Sequence, residues 1–460
     1  MSRPVNVLFV SSEVEPFAKT GGLADVSGAL PLAIRKLGQE IRIITPRYGM
    51  GDEGNSKSSE NLALRDLRVP VGEKTYLASV TTAAIGDTNA SVLAYLVENQ
   101  ILFGRRGLYV DPETRQDYPD NDERFIFFNR CVMEVLKHLD WHPDIIHCND
   151  WQTGFIPVFL KSPPAAGHVS SRTKTVFTVH NMAYQGVFPQ YSFSKTHLPA
   201  ELLNNGSVSA SGYLNCLKAG LVFADTLTTV SRKYAEEIQT DEYGCGLQDI
   251  ARMRSCDLHG ILNGVDYSVW DPSVDEYIPQ RYTIRTVTNK KENKRALLAK
   301  VGLPYAESTP VIGVISRLAD QKGFDLLVPI FSALVSMDVQ LVFLGTGELK
   351  YHEFLGQAQR AYPRQVATTL AFDTPLAHLI EAGSDMFLMP SRYEPCGLNQ
   401  IYSLRYGTAP IVRATGGLDD TIEDFQSATG SGTGFKFVHY DSGELLHAIR
   451  RALDVFSQKD

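Results

Sequence analysis

Ten short apolar runs, five in each half of the chain, alternate with segments of helical spacing, and this alternation limits the possible folds more than any other feature. The runs at 5–10, 41–45, 144–147, 176–179 and 226–230 are rich in Val, Ile, Phe and Thr, as are those at 311–316, 340–344, 367–371, 386–389 and 409–412. Strands separated by helices build βα units, because a parallel neighbour needs a crossover long enough to hold a helix. Occurring twice, the pattern predicts an α/β protein of two doubly wound, Rossmann-like domains facing each other across a deep cleft. A chain of 460 residues is long enough for two such cores. The turn-rich stretch Asn263-Gly264-Val265-Asp266, followed by Trp270-Asp271-Pro272 and a charged helical segment at 290–300, places the boundary near 260. The expected domains are therefore 1–260 and 261–460, with surface loops at 51–61, 162–172 and 204–212.

Composition narrows the partners. A formal charge of −8, with no Lys/Arg cluster, argues against nucleic acid, so any phosphate site must be local. No run approaches the ~18–20 apolar residues that cross a bilayer, and Glu13 and Glu15 interrupt the N-terminus before a signal-peptide core. Cytoplasmic residence without a membrane partner is expected. Cys131, Cys148, Cys216, Cys245, Cys256 and Cys396 form no Cys-x-x-Cys pair, which predicts neither a zinc site nor a disulfide framework.

Two glycine-rich turns carry the chemical signal: Lys19-Thr20-Gly21-Gly22-Leu23 and Ala414-Thr415-Gly416-Gly417-Leu418-Asp419-Asp420. Each lies between a strand-like run and a helical segment, where backbone amides at a helix start can face a phosphate or a sugar hydroxyl. The Walker A spacing is absent, which removes an ATPase reading. Arg317 and Lys322, five apart across a turn ending in Gly323, can both reach one pyrophosphate and stabilise charge developing on a leaving diphosphate. Lys19 offers a third phosphate contact. Glu394, held by the stiff Pro395 and the permissive Gly397, is the candidate acidic residue for sugar hydroxyls or an oxocarbenium-like centre. His180 and Asn181 can hydrogen-bond a sugar near its reacting carbon. Asp150 has no second His at ligand spacing, so no metal is expected. All of these directly follow strands, where open parallel sheets bind ligands. Blander explanations exist for each: solvated surface cations, a flexible turn, a structural His, a packing cysteine at Cys396.

The series from Ser11-Ser12-Glu13 through Lys19-Thr20-Gly21-Gly22-Leu23-Ala24-Asp25-Val26, His147-Cys148-Asn149-Asp150-Trp151, Thr178-Val179-His180-Asn181, Asn263-Gly264-Val265-Asp266 and Tyr393-Glu394-Pro395-Cys396-Gly397-Leu398 resembles the bacterial glycogen synthases and plant starch synthases. The resemblance runs in order over nearly the whole chain. It implies the GT-B architecture, with an acceptor-side first domain and a nucleotide-sugar-side second domain. It also implies a retaining transfer of glucose from ADP-glucose to the nonreducing end of an α-1,4-glucan such as glycogen or a malto-oligosaccharide, with no metal or other cofactor. Carried over by residue, Glu394, His180, Arg317 and Lys322 are expected to be catalytic. Lys19, Gly21, Gly22, Asp25, Asp150, Asn181, Cys396, Gly397, Leu398, Thr415, Gly416 and Gly417 are expected to bind substrate.

Two departures accompany the resemblance. Asn149-Asp150-Trp151-Gln152 is similar to granule-bound starch synthases, whereas the stretch from Gly397 to Gly407 looks like the bacterial form, and no transit peptide is expected ahead of Met1. Family members also continue past the helical 445–456 segment with a helix that returns to the first domain, so domain closure is expected to suffer without it. A sugar-nucleotide epimerase on the same scaffold is the competing enzyme reading, since fold does not dictate function.

Overall fold

The computed structural model describes residues 3–49, 61–86, 90–162 and 172–458. The loops expected at 51–61 and 162–172 lie almost wholly outside the described residues. Two compact units are present: Met1–Val230 with Ala235–Gly264, and Ser231–Tyr234 with Val265–Asp460. Among the described residues no helix is long and apolar enough to cross a membrane.

In the first unit the strands are β1 (Asn6–Val10), β2 (Glu40–Pro46), β3 (Asn61–Val71), β4 (Lys74–Ile85), β5 (Val92–Glu98), β6 (Ile145–Asn149), β7 (Lys174–Val179), β8 (Val187–Pro189), β9 (Ser209–Ala210), β10 (Tyr213–Asn215), β11 (Thr226–Thr229) and β12 (Leu258–Gly260). Nine of them form one sheet in the order β12-β11-β7-β6-β1-β2-β5-β4-β3. The expected all-parallel sheet needs correction at one end, where β4 runs antiparallel to β5 and β3 antiparallel to β4. A two-residue turn with Gly72 at φ 56° joins β3 to β4, which only an antiparallel pair permits. β3 escapes detection because it is an edge strand, largely exposed, with Arg65, Asp66 and Arg68 in its middle and shifts in register at 62–67. β5 is a continuous apolar run, but no helical segment separates it from β4. The loop expected at 204–212 is likewise partly a strand: β9 pairs with β10, which pairs with β8.

The second unit holds β13 (Val311–Ile315), β14 (Gln340–Leu344), β15 (Val366–Thr369), β16 (Met386–Met389), β17 (Ala409–Arg413) and β18 (Phe435–Phe437). All are parallel, in the order β15-β14-β13-β16-β17-β18. Successive side chains point to opposite faces, so β14 sends Leu341 and Phe343 into one core and Val342 and Leu344 into the other. Helix Phe324–Val335 covers the first face through Phe324, Leu327, Phe331 and Leu334, and helix Thr374–Gly383 covers the second through Leu376, Leu379 and Ile380. Burial on both faces is why these strands read as unbroken apolar runs.

The turn-rich stretch after Gly264 is anchored by aromatic stacking. Trp270 lies between His378 (centroids 3.7 Å apart, planes 10° apart) and Tyr402 (4.1 Å, 8°). Behind it Asp275 accepts hydrogen bonds from the His378 ring at 2.8 Å and the Tyr406 hydroxyl at 2.5 Å. Nearby, Glu381 is fully buried and accepts a bond from the Ser403 hydroxyl at 2.7 Å, tying helix Thr374–Gly383 to helix Asn399–Tyr406. Burial pushes the Glu381 carboxyl up to about 8, against the opposing pull of the Ser403 bond and Lys290.

Because the folded carboxyl binds its proton more tightly than the unfolded one, Glu381 favours the fold at low pH, and that contribution is lost as pH rises toward 8. Glu381→Gln is expected to remove this loss. Denaturant unfolding at pH 5, 7 and 9 should show the parent losing on the order of 2–4 kcal/mol relative to the variant across that range. A constant gap between the two would contradict it.

Candidate functional site

In each sheet the strand order reverses direction once, between β6 and β1 in the first unit and between β13 and β16 in the second. The crevice at the carboxyl ends of such strands is where doubly wound sheets take ligands. The residues singled out in the sequence collect at these two places.

In the first unit, β1 runs into Ser11-Ser12-Glu13. Glu13 is buried and accepts hydrogen bonds from the Thr20 amide (2.6 Å), the Thr20 hydroxyl (2.7 Å), the Gly21 amide (3.3 Å) and the Tyr109 hydroxyl (2.8 Å). This one carboxylate shapes the turn that carries Lys19. The amides of Thr20 and Gly21 are therefore taken up by Glu13, which corrects the expectation that they face a ligand. A Cβ on Gly21 would meet nothing within 4 Å, so the space beside the turn is open. Lys19 is half-exposed with its ammonium 2.5 Å from Asp25, in the first turn of helix Gly22–Lys36.

The neighbouring strand ends place Asp150 and His180. Asp150 follows β6 with φ 57° and ψ −179°, a conformation that costs a non-glycine residue on the order of 1–3 kcal/mol. It is held there because its amide donates to the Thr178 carbonyl at 2.9 Å and its own carbonyl accepts the Thr153 hydroxyl at 3.0 Å. Its carboxylate in turn accepts the His180 amide at 2.7 Å and the Asn181 amide, fixing the start of the loop after β7. Burial pushes the Asp150 carboxyl up to about 7 despite those two bonds, with the charge of Glu13 adding to the rise. The His180 ring nitrogen Nε2 lies 3.0 Å from the Asn149 side-chain oxygen, and desolvation, with His147 nearby, brings its pKa down to about 3. His180 is thus a neutral hydrogen-bonding ring at pH 7. The Asn181 side-chain oxygen accepts the Ala183 amide at 3.0 Å.

In the second unit, Glu394 is buried, with Oε2 2.6 Å from the Lys322 ammonium and 2.9 Å from the Ser391 hydroxyl. The pair joins the loop after β13 to the loop after β16, across the point where strand order reverses. Gly323 makes this approach possible: it has φ 77°, and a Cβ there would lie 2.0 Å from the Pro390 carbonyl oxygen. Arg317 is exposed and donates to Gln321 at 3.0 Å, while Gln321 accepts the Arg392 amide at 2.9 Å. The second glycine turn packs directly on the Glu394 loop. Gly416 has φ 46°, and its Cβ would come within 1.9 Å of the Glu394 carbonyl oxygen; a Cβ on Gly417 would lie 2.0 Å from that of Cys396. The Gly417 amide donates to the Glu394 and Pro395 carbonyls at 3.1 and 3.2 Å, so this turn clamps the acidic loop rather than presenting that amide outward. Thr415 is fully buried at the start of the six-residue helix Gly416–Thr421, Cys396 is buried, and Gly397 with Leu398 leads into helix Asn399–Tyr406.

Lys19, Gly21, Gly22, Asp25, Asp150, His180 and Asn181 thus fall in the first unit, and Arg317, Lys322, Glu394, Cys396, Gly397, Leu398 and Thr415–Gly417 in the second. Sequence reasoning passed over Glu13 as a site residue, although an acid placed three residues past a strand is itself a signal. It also passed over Asn149 and Ser391, whose roles depend on contacts between loops. Phe372, 85% exposed just past β15, is a further aromatic at the carboxyl edge of the second sheet. Among the described residues no group of three or more His, Cys, Asp or Glu could hold a metal ion.

Residues 6–253 match the starch synthase catalytic domain, and residues 299–455 match the glycosyl transferases group 1 domain. A glycogen synthase of Koribacter versatilis is 46% identical over 455 residues, covering 99% of this chain and 92% of that protein. One from Thermotoga maritima is 44% identical over 458 residues, covering 98% and 92%. Among solved structures, the catalytic domain of starch synthase IV from Arabidopsis thaliana, bound to ADP and acarbose, is similar with a TM-score of 0.89 and 30% identity, covering 100% of this chain and 93% of that one. A sucrose-phosphate synthase from Thermosynechococcus elongatus, 16% identical with a TM-score of 0.58, covers 99% and 91% and shares the fold.

The raised Asp150 carboxyl has a direct readout. As pH rises through about 7 the carboxylate forms and strengthens its hold on the His180 and Asn181 amides. Amide chemical shifts of those two residues should therefore titrate with midpoints near 7, and Asp150→Asn should abolish the titration. Flat shifts between pH 5 and 9 would rule the assignment out.

Proposed function

We propose that this chain, which belongs to the family of bacterial glycogen synthases and plant starch synthases, transfers glucose from ADP-glucose to the nonreducing end of an α-1,4-glucan with retention of configuration. The fold is the two-domain GT-B glycosyltransferase fold. The reading of the site rests above all on the Lys322–Glu394 pair, braced from below by Gly416 and Gly417. Glu394 has its charge partly met by Lys322 and Ser391, and its loop cannot move without displacing the glycine turn. That arrangement suits a carboxylate held beside a reacting sugar.

In this reading the second unit binds the nucleotide sugar. As the bond from the anomeric carbon to the diphosphate breaks, negative charge grows on the leaving oxygen, and Arg317 and Lys322 stabilise it more in the transition state than in the ground state. Phe372 supplies an exposed ring for stacking on the base. The second glycine turn acts through close approach, since its Gly417 amide is already bonded. The first unit takes the acceptor glucan. Lys19 is a cation able to take a phosphate group in place of Asp25. Asp150 fixes the loop from which neutral His180 and Asn181 bond sugar hydroxyls. Arg317 and Lys322 supply the positive charge that a metal supplies in other phosphate-leaving reactions, so the proposed reaction runs without one. The solved Arabidopsis relative, bound to ADP and acarbose, supports a nucleoside diphosphate and an oligosaccharide-like ligand as the classes this chain takes.

The decisive assay is ADP release from ADP-glucose with and without glycogen, with UDP-glucose run in parallel. Glycogen-dependent release with glucose appearing in polymer is expected; a donor sugar altered without primer would favour an epimerase instead. Glu394→Gln should lower kcat by about 100-fold or more while ADP binding stays within about threefold of the parent. Lys322→Ala should cost about 100-fold in kcat/KM, since it removes leaving-group stabilisation and leaves Glu394 unpaired. Glu394→Gln with near-normal kcat would overturn the acidic role.

A further inference from the structure

Asp150 and the residue before it hold His180 in two different ways. The Asp150 carboxylate accepts the His180 main-chain amide at 2.7 Å, whereas the Asn149 side-chain oxygen lies 3.0 Å from the ring nitrogen Nε2. Asn149 is the last residue of β6 and is 1% exposed, so its amide group must find its partners within the protein. Its nitrogen Nδ2 donates to the Val10 carbonyl at 3.0 Å and, at 3.4 Å, to the His147 carbonyl. Turning the amide over would set its oxygen against those two carbonyl oxygens and leave buried acceptors facing one another, so the group has one orientation. The Asn149 atom that faces His180 is therefore an oxygen, and an amide oxygen only accepts.

That orientation decides where the proton of the ring sits. Burial, with His147 nearby, keeps His180 neutral at pH 7, and a neutral imidazole carries a single N–H. Nε2 faces an obligate acceptor at 3.0 Å and must carry it, which leaves Nδ1 as a bare lone pair. Among the described residues nothing bonds to Nδ1, and His180 keeps part of its surface exposed. A ring held in this way accepts a hydrogen bond at Nδ1 and has no proton to give there.

We propose that Asn149 is a positioning residue that sets the tautomer of His180, so that His180 meets the sugar only as an acceptor, at Nδ1, and selects a glucosyl hydroxyl that donates. The proposal rests on the sugar-binding role given to His180 above. It assigns a role to a buried amide that touches no substrate, and it narrows what the histidine recognises. The donor glucose and the glucan carry the same hydroxyl chemistry, and the test separates them.

Long-range proton–nitrogen NMR spectra of the full chain labelled at histidine read the tautomer directly, with His180→Ala identifying the signal. Nε2 is expected at a pyrrole-type shift and Nδ1 at a pyridine-type shift; a proton on Nδ1 in the parent overturns the proposal. Saturation with ADP-glucose, or separately with a malto-oligosaccharide, should move Nδ1 in the direction of a hydrogen-bonded lone pair and leave Nε2 in place. The sugar that moves it is the one His180 contacts, and no movement with either overturns the acceptor role. In Asn149→Leu, which removes the acceptor, the two nitrogen signals should draw together as the tautomers exchange. The same substitution should lower kcat/KM by about tenfold, but by less than about twofold in a His180→Ala background. Asn149→Asp keeps one oxygen toward Nε2 while its acid proton serves the Val10 carbonyl, and it should stay within about threefold of the parent. Equal costs of Asn149→Leu in the two backgrounds would make the residue merely structural and overturn the proposal. Should Asn149→Leu fail to fold, the parent spectra and Asn149→Asp decide the matter. If the unmodified chain transfers no glucose, the functional reading fails, while the ring spectra still uphold or overturn the role of Asn149.

Discussion

Parallel strands buried on both faces leave the ends of a sheet as its one place for chemistry. In the second unit helices cover both sides of six parallel strands, and side chains alternate between two separate cores. Polar groups inside such layers would be left without partners, so they collect where the strands stop. Reversal of strand order at β13 and β16 then opens a crevice at one position along that edge, and the same logic acts at β6 and β1. Lys322, Glu394 and Asp150 sit at these positions because each directly follows, or shares a loop with, a strand at a reversal, and His180 follows β7, the next strand along.

The strand ends also concentrate strain and unmet charge. Asp150 keeps an unfavourable backbone conformation because hydrogen bonds with the end of β7, at Thr178 and His180, and with Thr153 hold it there. Gly416 and Gly417 bring one loop against another at distances that no side chain would permit. Lys322 and Glu394 are held 2.6 Å apart with little solvent around them. A sugar nucleotide bound among groups already fixed in place loses less of its binding energy to ordering them.

The second function of a buried charge is visible away from the substrate positions. Glu13 never needs to touch a ligand to matter, since it organises the turn that carries Lys19. Asp275 in the second unit works the same way, joining His378 and Tyr406 beneath the Trp270 stack so that the segment after Gly264 is anchored to two helices at once. Asp275 looks unremarkable in sequence because its partners lie 103 and 131 positions away.

What the chain's sequence determined by itself was periodic or local: ten apolar runs spaced by helices, two glycine turns, cations five apart, and ordered motifs specific enough to place it beside the glycogen and starch synthases. These depend on side-chain alternation and on a few neighbouring residues, both of which survive in one dimension. The antiparallel extension of β3 and β4 was hidden because a half-solvated edge strand has no dense apolar run. The use of the turn amides was decided only by tertiary structure, since whether Gly417 donates outward or to the Glu394 carbonyl depends on how closely two loops approach. So were the Lys322–Glu394 pair, the neutral state of His180 and the raised carboxyl of Asp150. Each follows from burial and from partners that distant stretches of chain supply, and neither quantity exists until the sheets have formed.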